Sequence, residues 1–416
     1  MAASCFLPHV DDSAFSLANL PYGVYSRAEQ PRRPCVRVGD AVLDLCGLER
    51  HGLLRSWDGE MLFDTPTLNR FMEAGRDAWA DVRRQLQRLL DVDAPTLQDA
   101  PNLLAEVLHP LSKVTLHTPM SVGDYTDFYA SRQHATNVGT LFRGAENALP
   151  PNWLHLPIGY HGRASSIVVS GTPVRRPLGQ RRLQDAIAPE FGPSQELDLE
   201  VELGAVMGVG NRLGNPIAVD EAEAHIFGYV LVNDWSARDL QRWEYKPLGP
   251  FLGKNFATTI SPWVVPAAAL DAFWVPLAPQ DPHPLPYLAQ TERFGLDIDL
   301  QVDLVPENNA ASSIIETNAQ HLYWTFAQMV AHHTVNGCNL QPGDLLASGT
   351  ISGSAPQSYG SLLERSAGGA HALTLPSGIT RTFLEDGDTV ILRGEARRGS
   401  LRIGFGEAVG QVLPAR

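Results

Sequence analysis

Residues 196–204, ELDLEVELG, decide how the middle of this chain folds. Acidic and apolar side chains alternate along the segment, and a β-strand points successive side chains to opposite faces. The alternation therefore predicts a strand with Glu196, Asp198, Glu200 and Glu202 on one face and leucine or valine on the other. Two explanations fit four like charges on one face, namely a solvated surface or a site that binds a cation.

A second segment of the chain serves as a control for this pattern. Residues 296–304, LDIDLQVDL, also alternate acidic and apolar side chains. Antiparallel strands with one solvated face commonly show such alternation. Periodicity alone does not separate a solvated strand from a ligand-binding strand, and for both segments it favours the solvated face.

Length and charge restrict the class of protein. The 416 residues are 44% hydrophobic and 19% charged, which predicts a globular protein of two or more domains with a sizeable core. A formal net charge of −14 argues against a protein that binds the phosphate backbone of nucleic acids. It does not exclude a small anionic substrate, because a local cluster of arginine and lysine can form inside an acidic protein.

Several other features predict a cytoplasmic protein with no membrane association. No apolar run is long enough for a transmembrane helix, and the first residues lack the pattern of a secretory signal. The four cysteines form no CxxC pair, so we expect reduced thiols rather than disulfides or a thiolate zinc site.

The distribution of turns and apolar residues predicts many short strands, because the chain contains 31 prolines and 36 glycines. Helical periodicity is found at residues 66–91 and at residues 318–335, the second ended by Asn336-Gly337. Strands do not alternate with helices, which disfavours a doubly wound parallel fold. We place a small N-terminal domain at residues 1–117 and a larger domain at residues 118–416. The candidate strands are 167–169, 197–203, 226–232, 296–305, 389–392 and 401–404.

Common catalytic motifs do not fit the chain. Glycine-rich segments at 208–214 and 404–410 have the wrong spacing for a dinucleotide-binding loop. The H-E-x-x-H motif of zinc proteases does not occur. The G-x-S-x-G elbow is also absent, which disfavours a serine hydrolase that uses Ser165 or Ser166.

The acidic segment has features that favour a cation site. Glu200 and Glu202 are two residues apart, roughly 6.5–7 Å between Cα atoms, so their carboxylates can converge on one ion. Hard cations such as Ca²⁺ and Mg²⁺ take six or more oxygens, so further carboxylates are expected elsewhere. Asp127 and Asp234 are candidates, although a turn-forming role for Asp234 is an equal alternative. His134, seven residues after Asp127, is the candidate general base. The alternative is a structural role, which is typical of a lone histidine.

Segments around these residues resemble the fumarylacetoacetate hydrolase family, and the resemblance spans nearly the whole chain. The resemblance implies a mainly β (α+β) fold, with a small SH3-like N-terminal barrel followed by a mixed β-roll or β-sandwich domain. It also implies a homodimer. The segments are DYTDFYASRQHATNVG (124–139), PNWLHLPIGYHGRASSIVVSGTPVRRPLGQ (151–180), QELDLEVELG (195–204), NDWSARDLQRWEYKPLGPFLGKNF (233–256) and LLASGTISG (345–353).

The implied reaction is the hydrolysis of a carbon–carbon bond in 4-fumarylacetoacetate, a small diketo diacid. It yields fumarate and acetoacetate at the end of tyrosine and phenylalanine catabolism. Such a reaction must stabilise a tetrahedral alkoxide and an enolate leaving group, and a divalent cation that chelates the two carbonyl oxygens suits the enolate.

The resemblance also implies which residues hold metal ions. Ala257 stands where the family often has glycine, and this difference could disturb the binding of a second metal ion. Glu196 and Asp198 receive no ligand role, and we expect them to be solvated. The ligands of a Ca²⁺ ion would be Asp127, Glu200, Glu202 and Asp234. The residues near a second ion, Mg²⁺, would be Asp234, Lys254 and Thr258.

Catalytic and substrate-binding roles follow from the same resemblance. His134 would deprotonate the attacking water, and Glu364 would orient the imidazole and stabilise its charged form. The donors to the alkoxide would be Arg238, Gln241 and Lys254. The side chains that line the substrate pocket would be Tyr129, Arg143, Tyr160, Gln241, Tyr245 and Thr350.

Two other functions remain alternatives. One is a related acylpyruvate-type diketo acid hydrolase. Such relatives are shorter, so the N-terminal domain and residues 160–177 favour a fumarylacetoacetate hydrolase over them. The other is a calcium-binding β-scaffold without catalysis. A scaffold does not explain why His134, Arg238, Gln241 and Lys254 occur together with the expected ligands.

Overall fold

The computed structural model describes residues 4–28, 30–55, 57–182 and 186–416. Strands are short and numerous, as the frequent prolines and glycines predict. In chain order they are β1 (Tyr22–Ser26), β2 (Arg33–Val38), β3 (Ala41–Asp44), β4 (Leu108–Pro110), β5 (Thr115–His117), β6 (Tyr125–Phe128), β7 (Gly159–His161), β8 (Ile167–Val169), β9 (Val174–Arg175), β10 (Leu178–Arg181), β11 (Glu190–Pro193), β12 (Leu197–Asp198), β13 (Val201–Met207), β14 (Ile226–Asp234), β15 (Ser236–Ala237), β16 (Thr258–Ile260), β17 (Val265–Pro266), β18 (Trp274–Pro276), β19 (Phe294–Leu296), β20 (Asp299–Val305), β21 (Ser312–Asn318), β22 (Leu345–Ala347), β23 (Leu373–Thr374), β24 (Thr380–Arg381), β25 (Thr389–Arg398) and β26 (Leu401–Leu413).

The helices are mostly short and lie between the strands. Within the described ranges, none combines the length and the apolar character that a membrane-spanning helix requires. All four cysteines are free thiols, as predicted, and three of them are buried. The helices are α1 (Leu45–Arg50), α2 (Asn69–Glu73), α3 (Gly75–Leu90), α4 (Pro95–Gln98), α5 (Pro101–Val107), α6 (Arg132–Arg143), α7 (Arg238–Glu244), α8 (Phe326–Thr334) and α9 (Leu362–Arg365).

The N-terminal strands form one small antiparallel sheet in the order β4-β3-β2-β1-β5. Its last strand ends at His117, and the next strand of the chain belongs to another sheet. This arrangement fits the small SH3-like barrel that the sequence predicts. The domain boundary at residues 117–118 stays a prediction.

Two larger sheets make up the rest of the architecture. A mixed sheet has the order β7-β6-β22-β13-β14-β16-β8, and an antiparallel run β21-β20-β25-β26 is extended by the parallel strand β9. The two sheets pack closely: a Cβ atom on Gly394 of β25 would lie 2.6 Å from the Leu231 side chain of β14. Because the fold is mainly β with mixed sheets and short helices, the predicted fold class is confirmed.

Strand β14 is buried on both faces, which explains its continuous apolar sequence. Tyr229 and Leu231 belong to the core shared with the second large sheet. Val230 and Val232 point the other way, into a core that also contains Tyr22 and Val24 of the small sheet. The small N-terminal sheet therefore covers the back of the central sheet.

Both predicted helices are shorter than their periodicity indicates. The segment 66–91 is divided into α2 and α3, because Gly75 has a left-handed φ of 85°. The segment 318–335 is α-helical only from Phe326, where Thr325 and Gln328 form a capping box, and it contains a short 3₁₀ helix at Ala319–His321. Its end near Asn336-Gly337 is confirmed, since α8 stops at Thr334 and Gly337 has a φ of 93°.

The two acidic segments are also less regular than predicted. The segment 196–204 is interrupted at Leu199, which separates β12 from β13. The segment 296–305 is interrupted at residues 297–298, between β19 and β20. The strands predicted at 389–392 and 401–404 are longer, reaching Arg398 and Leu413.

Candidate active site

Four buried carboxylates converge where neighbouring strands of the central sheet meet. Asp127 lies on β6 and Asp234 ends β14, while Glu200 immediately precedes β13 and Glu202 lies on it. Strand β13 pairs with β14 on one side and with β22 on the other, and β22 pairs with β6. Each of the four residues offers an oxygen atom, and these atoms all lie within 4.8 Å of one another.

The hydrogen-bonding state of this cluster is unusual for buried groups. Oδ1 of Asp127 and both carboxylate oxygens of Glu202 have no hydrogen-bond partner in the described part of the chain. Neither residue forms an ion pair with a described side chain, although their exposures are only 2% and 0%. Buried polar groups are normally satisfied, and an unpaired buried carboxylate is costly. Oxygen-only donors at this spacing fit a hard divalent cation.

Electrostatics divide the four carboxylates into two kinds. Burial, followed by repulsion from Asp234, raises the pKa of Asp127 well above its usual range. Burial and the neighbouring acids likewise raise the pKa of Glu202. Burial opposes ionisation of Glu200 as well, but Arg238 and Lys254 outweigh it and lower the pKa of Glu200. Glu200 and Asp234 thus form ion pairs with buried cations, while Asp127 and Glu202 form none with a described side chain.

Asp234 is held by three side chains from different parts of the chain. Its Oδ2 accepts hydrogen bonds from Lys254 Nζ at 2.6 Å and from the Tyr160 hydroxyl at 2.9 Å. Its Oδ1 accepts from Thr258 Oγ1 at 2.9 Å. Lys254 also forms an ion pair with Glu200 and is itself buried. The turn-forming alternative for Asp234 is wrong, because the residue is the last of a nine-residue strand and points into the cluster.

A histidine–carboxylate pair adjoins the cluster. Nδ1 of His134 lies 2.7 Å from Oε2 of Glu364, and Nε2 lies 3.9 Å from Oε1 of Glu200. Glu364 is completely enclosed: Asn137, Ser352 and Ser361 donate to it at 2.8–2.9 Å. Burial opposes its ionisation, but His134 and these donors lower the pKa of Glu364.

Serine and asparagine partners of Glu364 were missed by the sequence reasoning. Ser361 caps α9 by accepting from the backbone N–H of Glu364. The spacing Ser361-x-x-Glu364 is the pattern of a capping box, so this helix start was readable from the sequence. Asn137 and Ser352 carry no comparable local signal, since their contacts with Glu364 span 227 and 12 residues.

Arg238 is the first residue of α7, and its contacts show that Asp198 is not solvated as expected. Its Nη2 lies 2.8 Å from Oε1 of Glu200, and its Nη1 donates to Oε1 of Gln241 at 3.3 Å. Its Nε donates to Oδ2 of Asp198 at 2.9 Å. Asp198 is 0% exposed, so the expectation that it is solvated is wrong. Glu196 is the more exposed acid and pairs with Arg242 at the surface.

One cavity of about 410 Å³ is lined by three of the clustered carboxylates, by His134 and by both buried cations. The predicted substrate residues all line it, including Arg143 and Tyr245. The Tyr129 ring stands edge-on to His134 at 5.4 Å, and the buried Thr350 hydroxyl lacks a partner in the described chain. Apolar side chains that the sequence reasoning did not single out also line the wall, among them Phe142 and Leu248.

The arrangement defines a class of protein. A metal-assisted hydrolytic enzyme needs oxygen donors for a metal ion, an imidazole held by a carboxylate, and cations near the reacting atoms. This cavity brings all three together.

Ala257 is buried in the main core beside Thr258, and Thr258 retains its contact with Asp234.

Comparison with known proteins places the chain within that class. Residues 124–413 match the family model described as fumarylacetoacetate (FAA) hydrolase C-terminal, and residues 18–119 match the model described as fumarylacetoacetase N-terminal. The chain therefore belongs to the fumarylacetoacetate hydrolase family.

Curated relatives match over the full length. The chain is 53% identical to fumarylacetoacetase of Homo sapiens and 52% identical to that of Mus musculus, with 99% of each chain covered in both comparisons. Among solved structures, it is similar to a fumarylacetoacetate hydrolase from Exiguobacterium antarcticum, with a TM-score of 0.54 and 17% identity. That match covers 95% of this chain and 100% of the other. At this identity the structural match supports the fold alone.

Proposed function

We propose that this protein hydrolyses the carbon–carbon bond of 4-fumarylacetoacetate to give fumarate and acetoacetate, the final step of tyrosine and phenylalanine catabolism. The observation that carries the proposal is the His134–Glu364 pair, because His134 lines the same cavity as Asp127, Glu200 and Glu202 while the enclosed Glu364 holds its imidazole. Full-length relatives that bear the name of this activity support the choice of substrate.

His134 serves as the general base in this proposal. Because Nδ1 is bound to Glu364, Nε2 is the nitrogen left to take a proton from water. Glu364 fixes the orientation of the imidazole and stabilises its charged form, in the manner of a catalytic triad with water as the nucleophile. The three other donors on Glu364 keep that carboxylate ionised and in place.

Two cations and an amide supply charge stabilisation. Arg238, Gln241 and Lys254 line the cavity and present donors to an alkoxide that forms on the attacked carbonyl. Both cations are buried, so their interactions with developing negative charge are stronger than they would be in water.

The remaining cavity residues recognise the substrate. A diacid needs cationic or hydroxyl partners, and Arg143, Tyr129, Tyr160 and Tyr245 provide them. The unpartnered Thr350 hydroxyl is a further donor for a substrate oxygen.

The carboxylate cluster holds the metal ion that the reaction uses. We assign Ca²⁺ to Asp127, Glu200, Glu202 and Asp234, since a larger hard cation suits four carboxylates with flexible geometry. When bound, such an ion polarises carbonyl oxygens and offsets negative charge. A second ion, Mg²⁺, is proposed near Asp234, Lys254 and Thr258, where the side chains offer fewer oxygens.

The quaternary structure and location are part of the same proposal. Phe142, Leu248 and Phe251 are exposed apolar side chains close to the cavity, and a homodimer would cover such a patch. The four free thiols fit a reducing cytoplasmic compartment. Light scattering of the purified protein tests the dimer, and a monomeric mass would contradict it.

The decisive experiment follows the loss of fumarylacetoacetate absorbance with the purified protein, with and without a chelator. We expect turnover that chelation abolishes and added Ca²⁺ or Mg²⁺ restores. An acylpyruvate panel provides the comparison. Faster turnover of an acylpyruvate, or full activity after complete metal removal, would overturn the proposal.

A further inference from the structure

Asp198 has no role in the function described above, yet it is the most completely bonded acid near the site. We propose that Asp198 is a positioning residue: it holds the donor Arg238 and the segment that carries Glu364 in one fixed geometry. This inference rests on the proposed function and adds a link between its two halves, the alkoxide donors and the general base.

The first set of contacts orients Arg238. Oδ2 of Asp198 lies 2.9 Å from both Nε and Nη2 of the guanidinium, which fixes its plane. Held in this way, Arg238 reaches Glu200 with Nη2 and Gln241 with Nη1. The contact is local in the fold, because β12, which contains Asp198, pairs with β15, which directly precedes Arg238.

The second set of contacts orients the general-base partner. Oδ1 of Asp198 accepts from the backbone N–H of Leu362 at 2.8 Å, and Oδ2 accepts from that of Leu363 at 3.0 Å. These are the first two residues of α9, and the next residue is Glu364. Displacement of this short helix would move the Glu364 carboxylate away from His134, to which it is bonded at 2.7 Å.

The chemistry of the contacts requires a carboxylate. Two backbone N–H groups and one guanidinium donate to Asp198 from different directions, and the N–H of Leu199 donates to Oδ1 as well. An asparagine could accept on only one of the two oxygen positions and would turn an N–H₂ group toward donors at the other. The side chain is 0% exposed, so water cannot replace a lost acceptor.

A matched control lies two residues earlier on the same segment. Glu196 pairs with Arg242, one turn after Arg238 on α7, at 2.6 Å. The side chains of this pair are 25% and 43% exposed, against 0% and 4% for Asp198 and Arg238. Both are carboxylate–arginine pairs between neighbouring positions of one segment and α7, but only Asp198 is bonded to α9.

The kinetic test compares Asp198→Asn with Glu196→Gln on fumarylacetoacetate, with metal content measured for each protein. We expect D198N to lower kcat by about 10- to 100-fold, because small misplacements of catalytic groups have effects of this size. KM and bound metal should stay within about twofold of the unmodified protein, and E196Q should match the unmodified protein. An unchanged kcat for D198N, or an equal loss in E196Q, would overturn the inference.

A double-mutant cycle separates positioning from a general structural effect. If Asp198 acts through Glu364, D198N should lower kcat much less in a Glu364→Gln background than in the unmodified protein. Full multiplicative losses would contradict the anchoring of Glu364 by Asp198. Asp198→Glu keeps the charge and provides a second variant if D198N does not fold; it should retain more activity than Asp198→Ala.

Hydrogen exchange gives a readout that does not depend on the substrate. In D198N, the amides of Leu362 and Leu363 should exchange faster, while E196Q leaves them unchanged. Unchanged exchange in D198N would refute the anchoring of α9. If the unmodified protein does not hydrolyse fumarylacetoacetate but this exchange pattern appears, the proposed function fails while the anchoring role stands.

Discussion

The two acidic segments have the same alternation of charged and apolar residues, but the fold uses them in opposite ways. In residues 196–204, Asp198, Glu200 and Glu202 are all buried. In residues 296–304, Asp299 is exposed, and Asp303 pairs with Arg393 near the surface. The difference arises from sheet position, since β13 lies in the middle of a sheet covered on both faces, whereas β20 packs only one face on the core. Alternation thus specifies a strand, and the layers around it decide whether its acids meet water or a ligand.

The largest effect should come from Glu202→Gln, which removes one negative ligand from the buried cluster. The variant should lose its metal ion and about 10³- to 10⁴-fold in kcat, since bound metals supply several kcal/mol of charge stabilisation. Elemental analysis and steady-state assays measure both, and Asp299→Asn on the other segment should change neither. In metal-free buffer, E202Q should have a higher free energy of unfolding, because it removes the repulsion between Glu202 and the neighbouring acids. Retained metal binding would break the comparison.

The next effect concerns the base rather than the ligands. His134→Ala should lower kcat by about 10²- to 10³-fold, the usual contribution of a general base. It should retain the metal ion, because His134 is not among the four clustered carboxylates. Hydrolysis that survives this change at an undiminished rate would contradict the role of His134. Metal retention together with lost activity would exclude the non-catalytic calcium scaffold.

Metal removal should lower the free energy of unfolding, and the effect should depend on the carboxylates of residues 196–204 rather than on those of residues 296–304. A cation that binds the folded state at one hundred times its Kd contributes about 2.7 kcal/mol to the free energy of unfolding. Denaturant titrations with Ca²⁺ and with a chelator should differ by about this amount, and E202Q should show no difference. A similar stabilisation of E202Q by Ca²⁺ would locate the ion elsewhere.

The smallest effect should come from Asp303→Asn on the second segment. It removes a partly exposed ion pair with Arg393, and such pairs contribute about 0–1 kcal/mol. Chemical denaturation should detect at most this loss, and both kcat and metal content should stay unchanged. A large loss of activity would show that the second segment has a function that its exposure does not indicate.

The sequence could predict most strands and turns and the four acids that the fold brings together, but not every residue that supports them. Local sequence context made Asp127 and Asp234 candidates and the resemblance assigned them as ligands; the sheet brings both beside Glu200 and Glu202. Asp198 was misjudged because its backbone donors Leu362 and Leu363 lie 164 and 165 residues later and because regular alternation conceals the break at Leu199.

The helix boundaries were missed for a different reason. Apolar periodicity continues through Gly75, although its left-handed backbone conformation ends one helix and starts the next. Periodicity likewise included Leu322, while the capping residues Thr325 and Gln328, which were visible in the sequence, mark the true start. For α8, local capping chemistry was the better guide to where the helix begins.

The burial of β14 on both faces has a consequence for truncation. A fragment that starts after residue 117 would keep every carboxylate of the cluster, yet it would uncover Phe227, Val230 and Val232. Such a fragment should aggregate or bind a chaperone of the expression host, although it retains all the residues of the candidate active site. An engineer who wants a minimal version must first replace that apolar surface with polar side chains, without disturbing Asp234 at the strand's end.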